Sequence, residues 1–135
     1  MMSLEPPKSI RRVLIVDDDA DSCELIGVVL KQAGYDAVAA ASCTEGVQLA
    51  TQGGFDAIIL DNWFDQGNGL DLCREIRTSD PVTPIMFYSA AAYPADIDRA
   101  IGAGAQAYLV KPNGWEQLVV TVNRLVRRPV VCETR

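Results

Sequence analysis

Apolar residues gather in five short runs, Val13–Val16, Tyr35–Ala40, Phe55–Leu60, Pro84–Tyr88 and Ala107–Val110, with helically spaced apolar positions between them. The alternation predicts a strand followed by a helix, repeated five times, and so an α/β domain. Val13–Val16 and Ala57–Leu60 are apolar at every position. Strands tolerate that when helices cover both faces of a parallel sheet, so these two are expected at its centre. The alanine-rich second run is a better candidate for an edge.

Turn chemistry marks the helix ends. Ser42-Cys43-Thr44-Glu45 has the spacing of a capping box, in which the serine hydroxyl and the glutamate carboxylate serve each other's backbone donors. That helix should stop near Gly53-Gly54. Gly34 falls where the first helix must turn into the second strand, and Pro94 suits the opening turn of a fourth helix. Trp115, Leu118, Val119, Val122, Leu125 and Val126 step along one face of the last helix, a stripe read as core.

Composition narrows the picture. At 135 residues and 49% apolar content the chain can bury one real core, with no room for a second folded domain. We therefore read residues 1–10 as an N-terminal extension, 11–128 as the domain and 129–135 as a C-terminal tail. A net charge of −6 without a basic cluster argues against direct nucleic-acid binding, which requires cations to displace phosphate counterions. Cys23, Cys43, Cys73 and Cys132 are scattered and the chain has no histidine, so zinc is disfavoured and reduced thiols are expected. No apolar stretch approaches the roughly 18 residues of a membrane span. A soluble, cytoplasmic protein that does not engage a membrane is the reading.

Ligands of open parallel sheets bind beyond the carboxyl ends of the strands. Asp17, Asp18 and Asp19 follow the first strand here, Asp61 the third, Ser89 the fourth and Lys111 the fifth. Carboxylates so close repel, which calls for raised pKa values or a bound cation. Mg²⁺ fits an oxygen-only donor set that uses few carboxylates. Each residue alone has a plainer role: an acidic helix start for Asp17–Asp19, a loop cap for Asp61, a turn for Ser89, a solvated charge for Lys111, a half-buried strand aromatic for Tyr108. The helix-start role accounts for Asp19, but not for Asp61 and Lys111 arriving at the same edge.

From Arg11 to Val126 the sequence resembles bacterial response-regulator receiver domains. Val13-Leu14-Ile15-Val16-Asp17-Asp18-Asp19 is similar to the family's first strand and acidic pair, and Phe55–Asp61 to the strand that ends in its phosphorylated aspartate. Gly69-Leu70 lies at the usual distance beyond. Thr83–Ala90 resembles the strand bearing the family's hydroxyl residue, and Gly104–Pro112 the segment with its aromatic switch and lysine.

The resemblance implies a flavodoxin-like (βα)5 fold, strand order 2-1-3-4-5, in a two-component signalling protein. It implies that Asp61 accepts a phosphoryl group from a phosphohistidine and that Mg²⁺ is held by Asp17, Asp18, Asp61 and the Trp63 carbonyl, with no organic cofactor. Lys111 would offset phosphoryl charge from the opposite side, preceding a cis bond to Pro112, and Ser89 would bind the acyl phosphate. Ser89 moving toward the phosphate would free space into which Tyr108 rotates. The implied partners are a histidine kinase or histidine phosphotransfer protein and a downstream protein read by the fourth helix, fifth strand and fifth helix. Homodimerisation on phosphorylation is a further option.

The chain departs from the family in having Phe64-Asp65 in the acceptor loop, Asn113 after Pro112, and a plain Ala90-Ala91-Ala92-Tyr93 segment. A Mg²⁺-dependent phosphohydrolase would need a general acid two residues past Asp61, where Trp63 stands. A flavin or nucleotide would be repelled by Asp17–Asp19. The expected protein is thus not an enzyme beyond its own phosphorylation and dephosphorylation. The alternative is a phosphorylation-independent interaction module, whose usual sign is loss of the acceptor, an acidic partner or the lysine; all three are present.

Overall fold

The computed structural model describes residues 10–112 and 114–127. The extension before Ile10, Asn113, the tail at 129–135 and Cys132 lie outside the described residues. In chain order the elements are β1 (Arg12–Val16), α1 (Ala20–Gln32), β2 (Asp36–Ala40), α2 (Cys43–Gln52), β3 (Ala57–Leu60), α3 (Gly69–Ser79), β4 (Ile85–Ser89), α4 (Pro94–Gly102), β5 (Ala107–Val110) and α5 (Trp115–Val126). The five strands form one sheet in the order β2-β1-β3-β4-β5, parallel throughout. The alanine-rich β2 is an edge, and the fully apolar β1 and β3 are internal.

Alternation along the internal strands divides the core in two. Val13, Ile15, Ala57, Ile59, Met86 and Tyr88 pack with Ile26 and Leu30 of α1 and Leu118, Val122 and Leu125 of α5. Leu14, Val16, Ile58, Leu60, Ile85 and Phe87 face the other way, onto α2, α3 and α4. Helices on both faces thus account for strands with no polar side. Gly46 lets α2 approach: a Cβ there would sit 2.8 Å from Val16 Cγ1.

Three local expectations change. The Ser42 hydroxyl accepts the Glu45 N–H at 3.1 Å, but the Glu45 carboxylate reaches back one residue further, to the Ala41 N–H at 3.0 Å. The cap is therefore stretched by one residue. Trp115 is 40% exposed rather than core, its indole and the Tyr88 ring meeting edge-on with ring centroids 6.4 Å apart. Ser89 is the last residue of β4 rather than the first after it, and its carbonyl accepts the Lys111 N–H at 2.8 Å.

Arg77 fastens the amino-terminal ends of β4 and β5 to α3. Its guanidinium donates to the carbonyls of Asp80 and Thr83 at 3.0 and 2.7 Å, to Gly104 O at 2.8 and 3.0 Å, and to Gln106 Oε1 at 2.9 Å. A planar fork makes all these bonds at once, which a lysine ammonium cannot reproduce. Arg77→Lys is expected to lower stability by about 1–3 kcal/mol, the cost of leaving partly buried carbonyls without donors. Urea unfolding would register it as a lower midpoint with an unchanged slope.

Candidate functional site

Backbone hydrogen bonds stitch the carboxyl end of β1 to β2 on one side and to β3 on the other. Asp17 N–H donates to Ala40 O and Asp61 N–H to Val16 O, each at 3.1 Å, so the two aspartates emerge side by side. Oxygens of Asp17, Asp18 and Asp61 all lie within 4.8 Å of one another, an arrangement able to hold a metal ion. Asp17 is buried, Asp18 exposed and Asp61 between them. Asp19, by contrast, caps α1, accepting the Asp21 N–H at 3.2 Å and the Ser22 hydroxyl at 3.0 Å.

Lys111 follows the last residue of β5 and precedes a cis bond to Pro112. Its Nζ lies 2.9 Å from Asp17 Oδ2 and 3.9 Å from Asp61 Oδ2. The ammonium is thus paired first with Asp17 and only secondarily with Asp61. It also sits 5.4 Å from the centre of the Tyr88 ring. Burial alone would lower the Lys111 pKa, but the hydrogen bond to Asp17 and the charges of Asp61 and Asp17 carry it above its ordinary value. The pair therefore keeps a cation fixed beside Asp61.

Asp61 moves the other way from most paired carboxylates. Burial raises its pKa, Lys111 opposes that, Asp17 adds to it, and the Asn62 N–H and Ser89 hydroxyl lower it in part; the net direction is upward. The Asn62 N–H donates to Asp61 Oδ1 at 2.7 Å. Asp18 is held from the other side of the loop, accepting the Asp65 N–H at 2.8 Å. Trp63 joins Asn68 through a backbone bridge and its indole is 61% exposed.

Ser89 is fully buried, its hydroxyl oxygen accepting the Ala91 N–H at 3.2 Å. Tyr108 stacks on Phe87 at 5.7 Å with its ring nearly parallel, and its hydroxyl donates to Ala91 O at 2.6 Å. The aromatic switch expected to rotate inward is thus already half-buried and anchored. Its anchor lies in the plain alanine segment, where small side chains leave the Ala91 carbonyl open to the phenol.

Two contributors were absent from the expected site. Asn62, directly after Asp61, is a buried polar residue, 3% exposed. Its polar identity was visible but its burial was not. Gly69, noted only for its distance from Asp61, has a steric role: an added Cβ would stand 2.1 Å from Asp61 O and 3.0 Å from Asn62 Cα. Its N–H also donates to Asn62 O at 2.9 Å. Cys23 closes the other flank, its thiol donating to Asp17 O at 3.2 Å. Burial and the charge of Asp17 push that thiol up to about 11, so it stays neutral near pH 7.

These features have close counterparts. A family model described as the response regulator receiver domain matches residues 13–123. The chain belongs to that family. It is 31% identical over 118 residues to the DNA-binding response regulator MtrA of Mycolicibacterium paratuberculosis, covering 87% of this chain and 52% of that protein. To the nisin biosynthesis regulatory protein NisR of Lactococcus lactis it is 31% identical over 119 residues, covering 88% and 52%. The chain spans about half the length of the curated relatives it matches. Among solved structures it is similar to Vibrio cholerae chemotaxis protein CheY4, with TM-score 0.82 and 28% identity over 87% of this chain and 99% of that one. A Clostridium difficile two-component response regulator gives TM-score 0.83 and 29% identity over 87% and 97%.

Two substitutions test the site's energetics. Because the folded-state pKa of Asp61 lies above the ordinary value of 3.8, its ionised form opposes folding, and the penalty sets in as pH rises through that window. Asp61→Asn is expected to raise the melting temperature at pH 7 in chelator, with the gain shrinking as pH falls toward 4. Gly69→Ala should destabilise by about 1–3 kcal/mol or more, since backbone rather than a flexible side chain must yield. Thermal melts of both variants across pH would check the two signs.

Proposed function

We propose that this domain is the phosphoacceptor of a two-component phosphorelay, taking a phosphoryl group from a phosphohistidine onto Asp61. The observation that carries the reading is the convergence of three carboxylates within 4.8 Å on a lysine 2.9 Å from one of them and 3.9 Å from another. An oxygen-only donor set of this kind, partly buried and without nitrogen or sulfur ligands, suits Mg²⁺. Asp17, Asp18, Asp61 and the Trp63 carbonyl would hold the ion. When bound, it supplies positive charge to the crowded carboxylates and to the phosphoryl oxygens.

The chain's own groups then divide the work. A carboxylate oxygen of Asp61 attacks phosphorus; an O–P bond forms as the P–N bond to the donor imidazole breaks, and the imidazole leaves with that electron pair. Lys111, tethered to Asp17, offsets charge on the transferring group from a position fixed before the reaction. Ser89, buried beside Asp61, offers a hydroxyl to the acyl phosphate. Such a domain acts on its own phosphoryl group and not on a separate substrate, so signalling rather than metabolic catalysis is its task.

The donor would be a histidine kinase or histidine phosphotransfer protein, and the readout a protein seated on α4, β5 and α5. A cytoplasmic setting accompanies that reading; among the described residues no helix is long and apolar enough to cross a membrane. MtrA is named a DNA-binding regulator. For the portion represented here, the net charge of −6 favours protein partners over nucleic acid.

Acetyl phosphate with Mg²⁺ should add one phosphoryl group to the protein, read by intact mass. Asp61→Asn and excess chelator should each abolish the gain, and Lys111→Ala should slow it at least roughly tenfold. Equal labelling of the Asp61→Asn protein would sink the assignment and leave a phosphorylation-independent interaction module.

A further inference from the structure

Each of the three clustered carboxylates accepts a backbone N–H. Asp19 N–H donates to Asp17 Oδ1 at 2.9 Å and Asn62 N–H to Asp61 Oδ1 at 2.7 Å, from donors one or two residues along the chain. Asp18 differs. Its Oδ2 accepts the Asp65 N–H at 2.8 Å, across 47 residues, from the loop that follows β3. Local geometry therefore aims Asp17 and Asp61, whereas the aim of Asp18 depends on how a separate loop is folded. That loop is closed by the Trp63–Asn68 bridge and by the Gly69 N–H bond to Asn62 O at 2.9 Å, and Phe64, next to Asp65, packs against the core. Gly67, at φ 94°, lies close against α2, where an added Cβ would stand 3.2 Å from Cys43 Sγ. The Asp65 N–H is thus presented from a braced position.

Asp18 needs such a donor more than its neighbours do. It is the least buried of the three, and the charges of Asp17 and Asp61 repel its carboxylate toward water. A side chain left free rotates among staggered wells, and those that turn it outward relieve the crowding. The bond from Asp65 is charge-assisted and opposes that rotation. It engages Oδ2 and leaves the lone pairs of Oδ1 for a cation. We propose that Asp65 is a positioning residue for the divalent cation: its backbone N–H, not its side chain, keeps Asp18 turned toward Asp17 and Asp61. This rests on the reading of the cluster as a Mg²⁺ site and names what completes it. Groups that hold a metal's ligands in place commonly carry roughly 10–100-fold of its affinity, and a single N–H at the surface is expected to carry about tenfold. Linkage makes the effect reciprocal, so occupancy at Asp18 steadies the Phe64–Asp65 segment by the same factor.

Asp65→Pro removes the N–H and Asp65→Ala keeps it, while both remove the carboxylate, so side-chain charge is the same in the two proteins. Calorimetric titration with Mg²⁺ should show Asp65→Pro binding about tenfold more weakly than Asp65→Ala. Proline also constrains the backbone, so a second measurement leaves residue 65 intact. In metal-free protein, Asp18→Ala should move the Asp65 amide proton upfield and quicken its exchange with solvent at least roughly fivefold. The Gly69 amide, bonded to Asn62 O, should stay where it is. Equal affinities in Asp65→Pro and Asp65→Ala, or an Asp65 amide indifferent to Asp18→Ala, would overturn the proposal. So would a Gly69 amide that moves as far as that of Asp65, since loss of order in the whole loop would then explain the change. A wild-type protein that binds no Mg²⁺ would remove the metal reading itself, whereas wild-type binding with equal variants would remove only the role of Asp65. Intact-mass phosphorylation tests Asp61 as acceptor separately, because neither measurement on Asp65 needs phosphate.

Discussion

The ion pair between Lys111 and Asp17 is the constraint on which the rest of the site depends. A carboxylate as buried as Asp17 would oppose folding if left without a countercharge, and Lys111 at 2.9 Å supplies it. The same contact holds the end of β5 against the end of β1, two strands that are not neighbours in the sheet. It also leaves Asp61 incompletely compensated, which is why burial prevails in setting the direction of its shift. A carboxylate whose charge is only partly neutralised is receptive to a cation.

Much of this was legible in the sequence because strand ends are cheap to locate. Runs of four or more apolar residues place β1 and β3, and whatever follows them must emerge at the ligand-binding edge. Asp17, Asp18, Asp61 and Lys111 were found that way and are adjacent in the structure. Ser89 was displaced by one residue because the ladder continues past Tyr88: Ser89 pairs with Val110 of β5 and its carbonyl accepts the Lys111 N–H at 2.8 Å. Asn62 was missed for a different reason. Its burial accompanies a loop that folds back until Gly69 N–H reaches its carbonyl, an approach that residue type does not encode. Trp115 shows the converse: helical spacing assigns a residue to a stripe, but not how deeply each member of the stripe is buried.

The switch region departs from a picture in which the aromatic swings only after modification. Tyr108 is already stacked on Phe87 and bonded to Ala91 O. A modification biases an equilibrium only through contacts that differ between the two states.

The position of Arg77 has a practical corollary. Its carbonyl partners gather at the amino-terminal ends of β4 and β5, while the carboxylates lie at the opposite ends of the strands. A five-residue strand spans roughly 17 Å, so cohesion at one rim and chemistry at the other are separated by about that length. Val82, 80% exposed in the turn before β4, lies on the Arg77 rim. A fluorophore attached there would sense loosening of the α3–β4 junction from outside the ionic atmosphere of the carboxylates, and an immobilised protein tethered by that residue would present its acidic rim outward to a docking partner.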